Sequence, residues 1–410
     1  MNSYQIIPNN VRRTAMLLLA LFPILQYYAL PVSLSFSIGE VLLLLFSVFV
    51  LSKYNTKQVW HFPKHYVTYW AYCAVIIFIT SGFKVSYLLP GGLTMCMFSL
   101  FFAAFAFVFD EDYLLRFFRN MFIPLAVFFV IQEISFRATG TRITWHLPIA
   151  SETAYYGGLT FEQLEYGQAF GERSSSIFME PAYFAEFLLM HLCLELFGKQ
   201  GREKLYNYYS IAIILVLLFA RSGSGMMGSA FLSIVKLISY QRQSKSGRSW
   251  IILLLTIPVL LFAATKYVQS EVGSSVMDRQ KEITNQSGSA YDRMFRGFEI
   301  YEVMPTVNKI IGINVDDLRE SDLYNGVETL KEGMLLNGFQ FALVSKGLIG
   351  LTIFLMFFVA IFKNSNILTK SALGLLLVLS LFESVYFSHH MLILTLIALN
   401  AKRNQELSNS

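Results

Sequence analysis

Long apolar runs separated by short polar links recur from one end of the chain to the other. They fall at residues 14–30, 34–52, 66–83, 93–109 and 122–136, then at 181–198, 205–220, 226–240, 249–267 and 339–362. A last stretch, residues 371–399, is too long for one comfortable helix. It is interrupted by Glu383 and by Ser388-His389-His390, so it divides in two. Each run is close to the ~20 residues that carry an α-helix across a bilayer core. Open strands and irregular loops cannot satisfy their backbone groups in hydrocarbon, so such runs are helices. The pattern predicts an all-α polytopic membrane protein with about 12 transmembrane helices, built as a single integral membrane domain over residues 1–410. Tight turns are expected at Pro31-Val-Ser, at the Pro-Gly-Gly within the link 84–92, and at Arg221-Ser-Gly-Ser-Gly225.

Two connections break this rhythm. Residues 137–179 and 268–336 are long and polar. The short links sort by charge. Arg12-Arg13, Lys53/Lys57/Lys64, Arg116/Arg119, Lys199 to Lys204, Arg242 to Arg248, Lys363/Lys370 and Lys402-Arg403 alternate with poorly basic turns. Basic links stay in the cytoplasm. With twelve spans both termini are cytoplasmic and both long loops are extracytoplasmic; eleven would put Lys402-Arg403 outside.

Composition agrees. Hydrophobic residues make up 55% of the chain and charged ones only 14%, against about a quarter charged in a soluble domain. The net charge of +5 is explained by the basic links and points to no nucleic-acid partner. Cys73, Cys96 and Cys193 all lie in apolar runs and read as small buried hydrophobes, with no disulfide or metal role. The first run follows Arg12-Arg13 like a signal peptide, but no small-x-small cleavage pattern follows it, so it is expected to remain as the first helix.

The stretch Arg173-Ser-Ser-Ser-Ile-Phe-Met-Glu180-Pro181-Ala-Tyr-Phe-Ala-Glu-Phe187 starts as a polar loop and ends as an apolar helix. Pro181 suits a first helical position, where its missing N–H costs nothing. Glu180 then stands at the cap, at the positive end of the helix dipole. In the second loop, residues 290–304 form an amphipathic piece, with Tyr291, Met294, Phe295, Phe298 and Tyr301 at helical spacing. It can lie on the membrane surface or cap a cavity. Its polar side carries Asp292, Arg293, Arg296 and Glu299. Arg296 either pairs with Asp292 or Glu299 at the surface or joins an anion clamp. A guanidinium presents a fixed fork of donors that matches phosphate oxygens. Arg173 and Arg293, from different loops, are the candidates to close on one pyrophosphate.

Polar residues inside the runs are costly in lipid unless they face the bundle interior. Glu133 is expected to reach the interface, whereas Glu40 either lines a cavity or does the same. Glu186, Lys346 and Glu383 also lie within runs, and His191 and Glu195, four apart, read as a structural pair. His146, in the first long loop, is either a base or, as is usual for a lone loop histidine, only exposed, and His389 and His390 have no carboxylate pattern that points to a metal. Ser222-Gly-Ser-Gly225 is either a small-residue helix contact or a nest of N–H groups for an anion, with the contact favoured.

These residues resemble a family. Arg173 to Ala185 is similar to the R-x-x-x-x-F-x-E-P-x-x-F-A segment of Wzy-type polysaccharide repeat-unit polymerases, which include O-antigen, capsule and colanic acid polymerases. Arg221-Ser-Gly-Ser-Gly225 resembles their S-x-S-x-G turn. Gly288-Ser-Ala-Tyr-Asp-Arg293 resembles their second-loop segment. Asn337-Gly-Phe through Gly347-Leu-Ile-Gly350-Leu resembles the opening of their late span. The motifs cover about a tenth of the chain. The resemblance implies a GT-C-like helical fold in a bacterial inner membrane with its active face periplasmic. It implies a glycosyltransferase that moves a growing glycan from undecaprenyl pyrophosphate onto a new lipid-linked repeat unit, with no cofactor and no metal. Carried over by position, Arg173 and Arg293 hold the pyrophosphate and stabilise its growing charge, and Glu180 either takes the acceptor proton or only caps the helix or pairs with Arg173. Tyr183 and Tyr291 pack on sugar rings, with Arg296 and Asn337 as further substrate contacts. The implied partners are the lipid-linked donor and acceptor glycans, membrane lipid and a candidate chain-length regulator. The alternatives are an O-antigen ligase and a lipid-linked oligosaccharide flippase. The ligases place a functional histidine in the second outer loop, and residues 268–336 contain none. Transporters usually show an internal repeat, and the two halves here show none.

Overall fold

The computed structural model describes residues 7–26, 28, 36–54, 64–80, 85–140, 143, 174–178, 180–201, 203–243, 291–313, 336–363, 365–383 and 388–409. Among these the chain is all-helical, with 13 α-helices, one π-helical turn and no strand. In chain order they are α1 (Asn9–Leu25), α2 (Ile38–Lys53), α3 (Lys64–Thr80), α4 (Val85–Val108), α5 (Glu111–Thr139), α6 (Pro181–Phe197), α7 (Tyr208–Phe219) and α8 (Gly223–Gln243). The π-helical turn Asp292–Arg296 leads into α9 (Gly297–Val303), α10 (Thr306–Ile311), α11 (Gly338–Phe362), α12 (Ile367–Leu379) and α13 (His389–Asn409). Two of them, α5 and α11, are long and apolar enough to cross a membrane. The helices form two compact units. One comprises Met1–Ile6, Leu44–Val108 and Glu282–Ser410, the other Ile7–Leu43 and Phe109–Lys281. The boundary falls inside α2.

The second unit is built around α6. This helix is mostly apolar, with Glu186, His191 and Glu195 as its charged or titratable residues, and every residue except Ala182 is buried, as expected for a helix at the centre of a bundle. α5 lies against it through Phe118 on Phe187 and Phe129 on Phe184. α8 runs parallel to α6 and approaches it closely. A Cβ on Gly225 would stand 2.8 Å from that of Ala185, and one on Gly228 would stand 2.5 Å from Leu189 Cδ1. The favoured small-residue contact is therefore what this turn and helix make. Near the other end, Lys236 of α8 donates to the carbonyls of Leu196 and Gly201, both at 2.8 Å. It satisfies acceptors that the end of α6 leaves open.

α5 begins earlier than the hydrophobic pattern indicates. Asp110 accepts from the N–H groups of Asp112 and Tyr113 and caps it, so the helix takes in Arg116 and Arg119, expected in a link. Arg119 can enter because Glu195 of α6 receives it, at 2.5 and 2.8 Å. Glu195 also meets His191 at 3.1 Å and accepts from Asn207 at 2.8 Å. The expected His191–Glu195 pair is thus one side of a larger buried network.

In the first unit, α11 is not continuous. Gly347 has φ +65° and ψ −174°, which breaks the helix after Lys346. The break is filled by the chain leaving α10. Ile313 N–H donates to Val344 C=O at 3.0 Å, and Tyr72 Oη of α3 donates to Lys346 C=O at 2.9 Å. Carbonyls that lost their helical partners are thereby re-satisfied. A Cβ on Gly347 would lie 2.2 Å from Ile310 O, and one on Gly312 would lie 2.4 Å from Ser345 O, so glycine is needed on both sides. α12 and α13 form an antiparallel hairpin, as the expected division of residues 371–399 requires. Asn366 reaches Ala401 C=O at 2.7 Å and Thr369 reaches Ala398 C=O at 3.0 Å.

One link is corrected. The turn expected within residues 84–92 is helical instead, because α4 begins at Val85 and runs through Pro90-Gly91-Gly92. A proline near the start of a long helix removes only one ladder bond, and the apolar run behind it carries the helix on. The expected span at residues 249–267 and most of the two long loops lie outside the described residues.

Candidate functional site

In the first unit, four of the candidate residues fall into two groups, Arg293 with Asn337 and Glu383, and Tyr291 with Arg296 and Glu299. Arg293 stands on the π-helical turn with its side chain 24% exposed, and its Nη1 lies 3.8 Å from Glu383 Oε1. That distance is a charge contact beyond hydrogen-bond range. Its main chain is held separately, since Asn337 Nδ2 donates to Arg293 C=O at 2.6 Å. Asn337 also caps α11, accepting from Gln340 N–H at 2.9 Å, while Gln340 Oε1 accepts from Asn337 N–H at 3.4 Å. Gly297, directly after the turn, lets α9 rest on the Gln340 side chain, where a Cβ would come within 2.4 Å. The start of α11 is fixed in turn by Gly338 N–H on Ser380 C=O at 2.8 Å. α11, α12 and the π-helical turn thus converge on Arg293 and Glu383.

The remaining candidates in this unit are occupied. Arg296 Nη1 donates to Glu299 at 2.9 Å and its guanidinium lies over the Tyr291 ring at 5.4 Å. This is the ion-pair alternative for Arg296. Tyr291 is buried and its hydroxyl donates to the same Glu299. Asn337 is buried and serves the capping box and Arg293. Apolar side chains are exposed on the same segment, namely Met294, Phe295 and Phe298.

In the second unit, Glu180 takes the N-cap position of α6, with extended backbone at φ −132° and ψ 150°, and Pro181 follows at the first helical position. The Glu180 side chain makes no cap hydrogen bond, so capping does not account for the carboxylate. It is half-buried. Tyr183, one turn in, is buried. Arg173 lies outside the described residues. The segment before Glu180 is anchored to α5. Ser176 is buried in the left-handed region at φ +56°, and Gln132 holds its N–H at 2.8 Å and its C=O at 3.0 Å.

Two expectations about carboxylates change here. Glu133, expected to reach the interface, is not at the protein's surface. It is buried and lies 3.7 Å from Arg221 Nη2, itself buried. Arg221 follows the end of α7 with φ +52°, a conformation that glycine adopts without cost and other residues with about 1 kcal/mol or more of strain. Glu40, undecided between a cavity and the interface, is used locally. Its Oε2 accepts from Ser37 N–H at 2.9 Å and Ser37 Oγ at 3.0 Å, while Ser37 Oγ accepts from Glu40 N–H at 3.1 Å. Ser37-Ile-Gly-Glu40 is a capping box that the S-x-x-E spacing could have revealed. Gln132, Arg221 and Glu383 carry no comparable signal, because their partners lie far away in the sequence.

No known family model matches the chain, and no curated protein matches it significantly.

Proposed function

We propose that the protein is a polytopic membrane glycosyltransferase of the Wzy type, a polymerase of undecaprenyl-pyrophosphate-linked oligosaccharide repeat units. In this reaction the bond between the donor sugar's anomeric carbon and the pyrophosphate oxygen breaks, and the electron pair leaves with the pyrophosphate. The anomeric carbon bonds to a hydroxyl oxygen of the acceptor unit, whose proton goes to a carboxylate base. Carried over from the family by position, Arg173 and Arg293 act on the pyrophosphate and Glu180 is the base.

The observation that carries this reading is the surroundings of Arg293. A partly exposed guanidinium stands on the same short segment as exposed Met294, Phe295 and Phe298. A cation at the edge of an exposed apolar surface fits an amphiphilic anion, with a charged head and a hydrocarbon tail, better than it fits a free sugar or a nucleotide. The exposed stripe of α5 supports a lipid setting. Ile123, Val127, Val130, Ile131 and Ile134 lie on one side of the helix at helical spacing, and apolar surface on that scale is covered in a bilayer.

The test is a vesicle assay with lipid-linked repeat units. A polymerase yields a ladder of lengths and releases polyprenyl pyrophosphate. A flippase changes only sidedness, and a ligase requires a lipid A core acceptor. Arg173→Ala and Arg293→Ala are each expected to leave single repeat units at normal protein level. Normal ladders in both variants would remove the pyrophosphate role, and no ladder from the unaltered protein would remove the polymerase reading.

A further inference from the structure

We infer that Gln132 is a positioning residue, which sets the chain that leads from Ser174 to Glu180 by clasping the backbone near both ends of the first long loop. One side-chain amide of α5 uses both its donors and its acceptor on the backbone. Its Nε2 donates to Ile143 C=O at 3.0 Å and to Ser176 C=O at 3.0 Å, while its Oε1 accepts from Ser176 N–H at 2.8 Å. Ile143 comes shortly after α5 ends, and Ser176 comes four residues before Glu180. The point where the chain leaves α5 and the point where it returns to α6 are therefore tied to a single side chain.

The tie holds a conformation the backbone would not keep alone. Ser176 is left-handed at φ +56°, and only a surrounding structure that over-determines such a residue maintains it. Ser176 Oγ adds a fourth bond, to Leu125 C=O at 2.9 Å, about two turns before Gln132 on α5. Phe178, two residues on, is buried against Phe184 and Phe187 of α6, so the clasp and this aromatic contact fix the segment at two points before Glu180. Glutamine is specified by its chemistry. Glutamate cannot donate and would bring a charge against two carbonyl oxygens. Leucine has similar bulk and no bonds, and would leave the buried N–H and C=O of Ser176 unpaired.

The functional consequence rests on the polymerase reading; the geometric one does not, and the two are measured separately. Ser174, fully buried, is replaced by cysteine in a background with Cys73, Cys96 and Cys193 changed to serine, and its maleimide labelling rate is followed in membranes. Labelling should rise on the order of ten-fold or more in Gln132→Glu and Gln132→Leu, because several hydrogen bonds that oppose local opening are removed. Polymerisation per folded molecule at saturating repeat unit should fall by a similar factor in both variants, with little change in the half-saturating concentration; counting folded molecules separates this from the lower stability that the lost bonds also bring. If Gln132→Glu fails to accumulate, Gln132→Leu decides alone. Unchanged labelling overturns the clasp. Faster labelling with unchanged turnover per folded molecule overturns the positioning role. If the unaltered protein makes no ladder, the polymerase reading and with it the functional role fall, while the labelling arm still decides whether Gln132 holds the segment.

Discussion

Arg293 and Glu383 face each other at 3.8 Å, the arginine 24% and the glutamate 13% exposed in their side chains. They come from the π-helical turn and from the turn after α12, with Asn337 fixing the arginine's backbone. A carboxylate in this position competes with any anion for the guanidinium. Glu383→Gln keeps the shape and removes the competing charge. On the proposed pyrophosphate role of Arg293, the anion should then bind roughly five-fold more tightly, since a partly exposed ion pair is worth up to about 1 kcal/mol. Arg293→Ala should abolish the binding. Titration of inorganic pyrophosphate by calorimetry in detergent reads both; equal affinity in Glu383→Gln and the parent would rule out the competition.

Arg119 and Glu195 set the stability of the second unit. Glu195 is fully buried in its side chain and is satisfied by Arg119, His191 and Asn207. Arg119→Met takes away the permanent cation that this carboxylate meets among the described residues. Removing one partner of a buried pair typically costs about 3–5 kcal/mol. The variant should melt well below the parent in detergent, whereas His191→Phe should cost less, because the arginine remains.

The carbonyls at the end of α6 depend on Lys236. Lys236→Met keeps most of the side-chain volume and removes both bonds to Leu196 and Gly201. Each acceptor left buried without a donor costs about 1–3 kcal/mol. Reduced thermal stability, read from a melt beside the parent, is the expected result.

Gly347 and Gly92 should respond in opposite directions to the same substitution. Gly347→Ala forces a Cβ to 2.2 Å from Ile310 O at φ +65°, so strain and clash together should cost about 2 kcal/mol or more. Gly92 lies within α4, and a Cβ added there would meet nothing within 4 Å. Gly92→Ala should therefore stabilise by about 0.5–1 kcal/mol through helix propensity. Denaturant melts of the two variants would settle both; a stabilised Gly347→Ala would mean that the break in α11 is not maintained.

The positions of most helices were written in the apolar runs. α2, α6, α7, α8, α11 and the division into α12 and α13 follow them closely, because a run of that length must hydrogen-bond its own backbone. The start of α6 at Glu180-Pro181 was legible too, and the Ser37-Ile-Gly-Glu40 box could have been, since helix starts use residues close together in the chain. Arg119–Glu195, Glu133–Arg221, Gln132–Ser176 and Arg293–Glu383 were not legible. Helical periodicity says which face a residue occupies but not which helix comes to meet it. Those pairings, and the break at Gly347, were decided only when separate elements packed together: a charge entered a helix because a distant partner neutralised it, and a helix opened because another segment could satisfy the carbonyls it gave up.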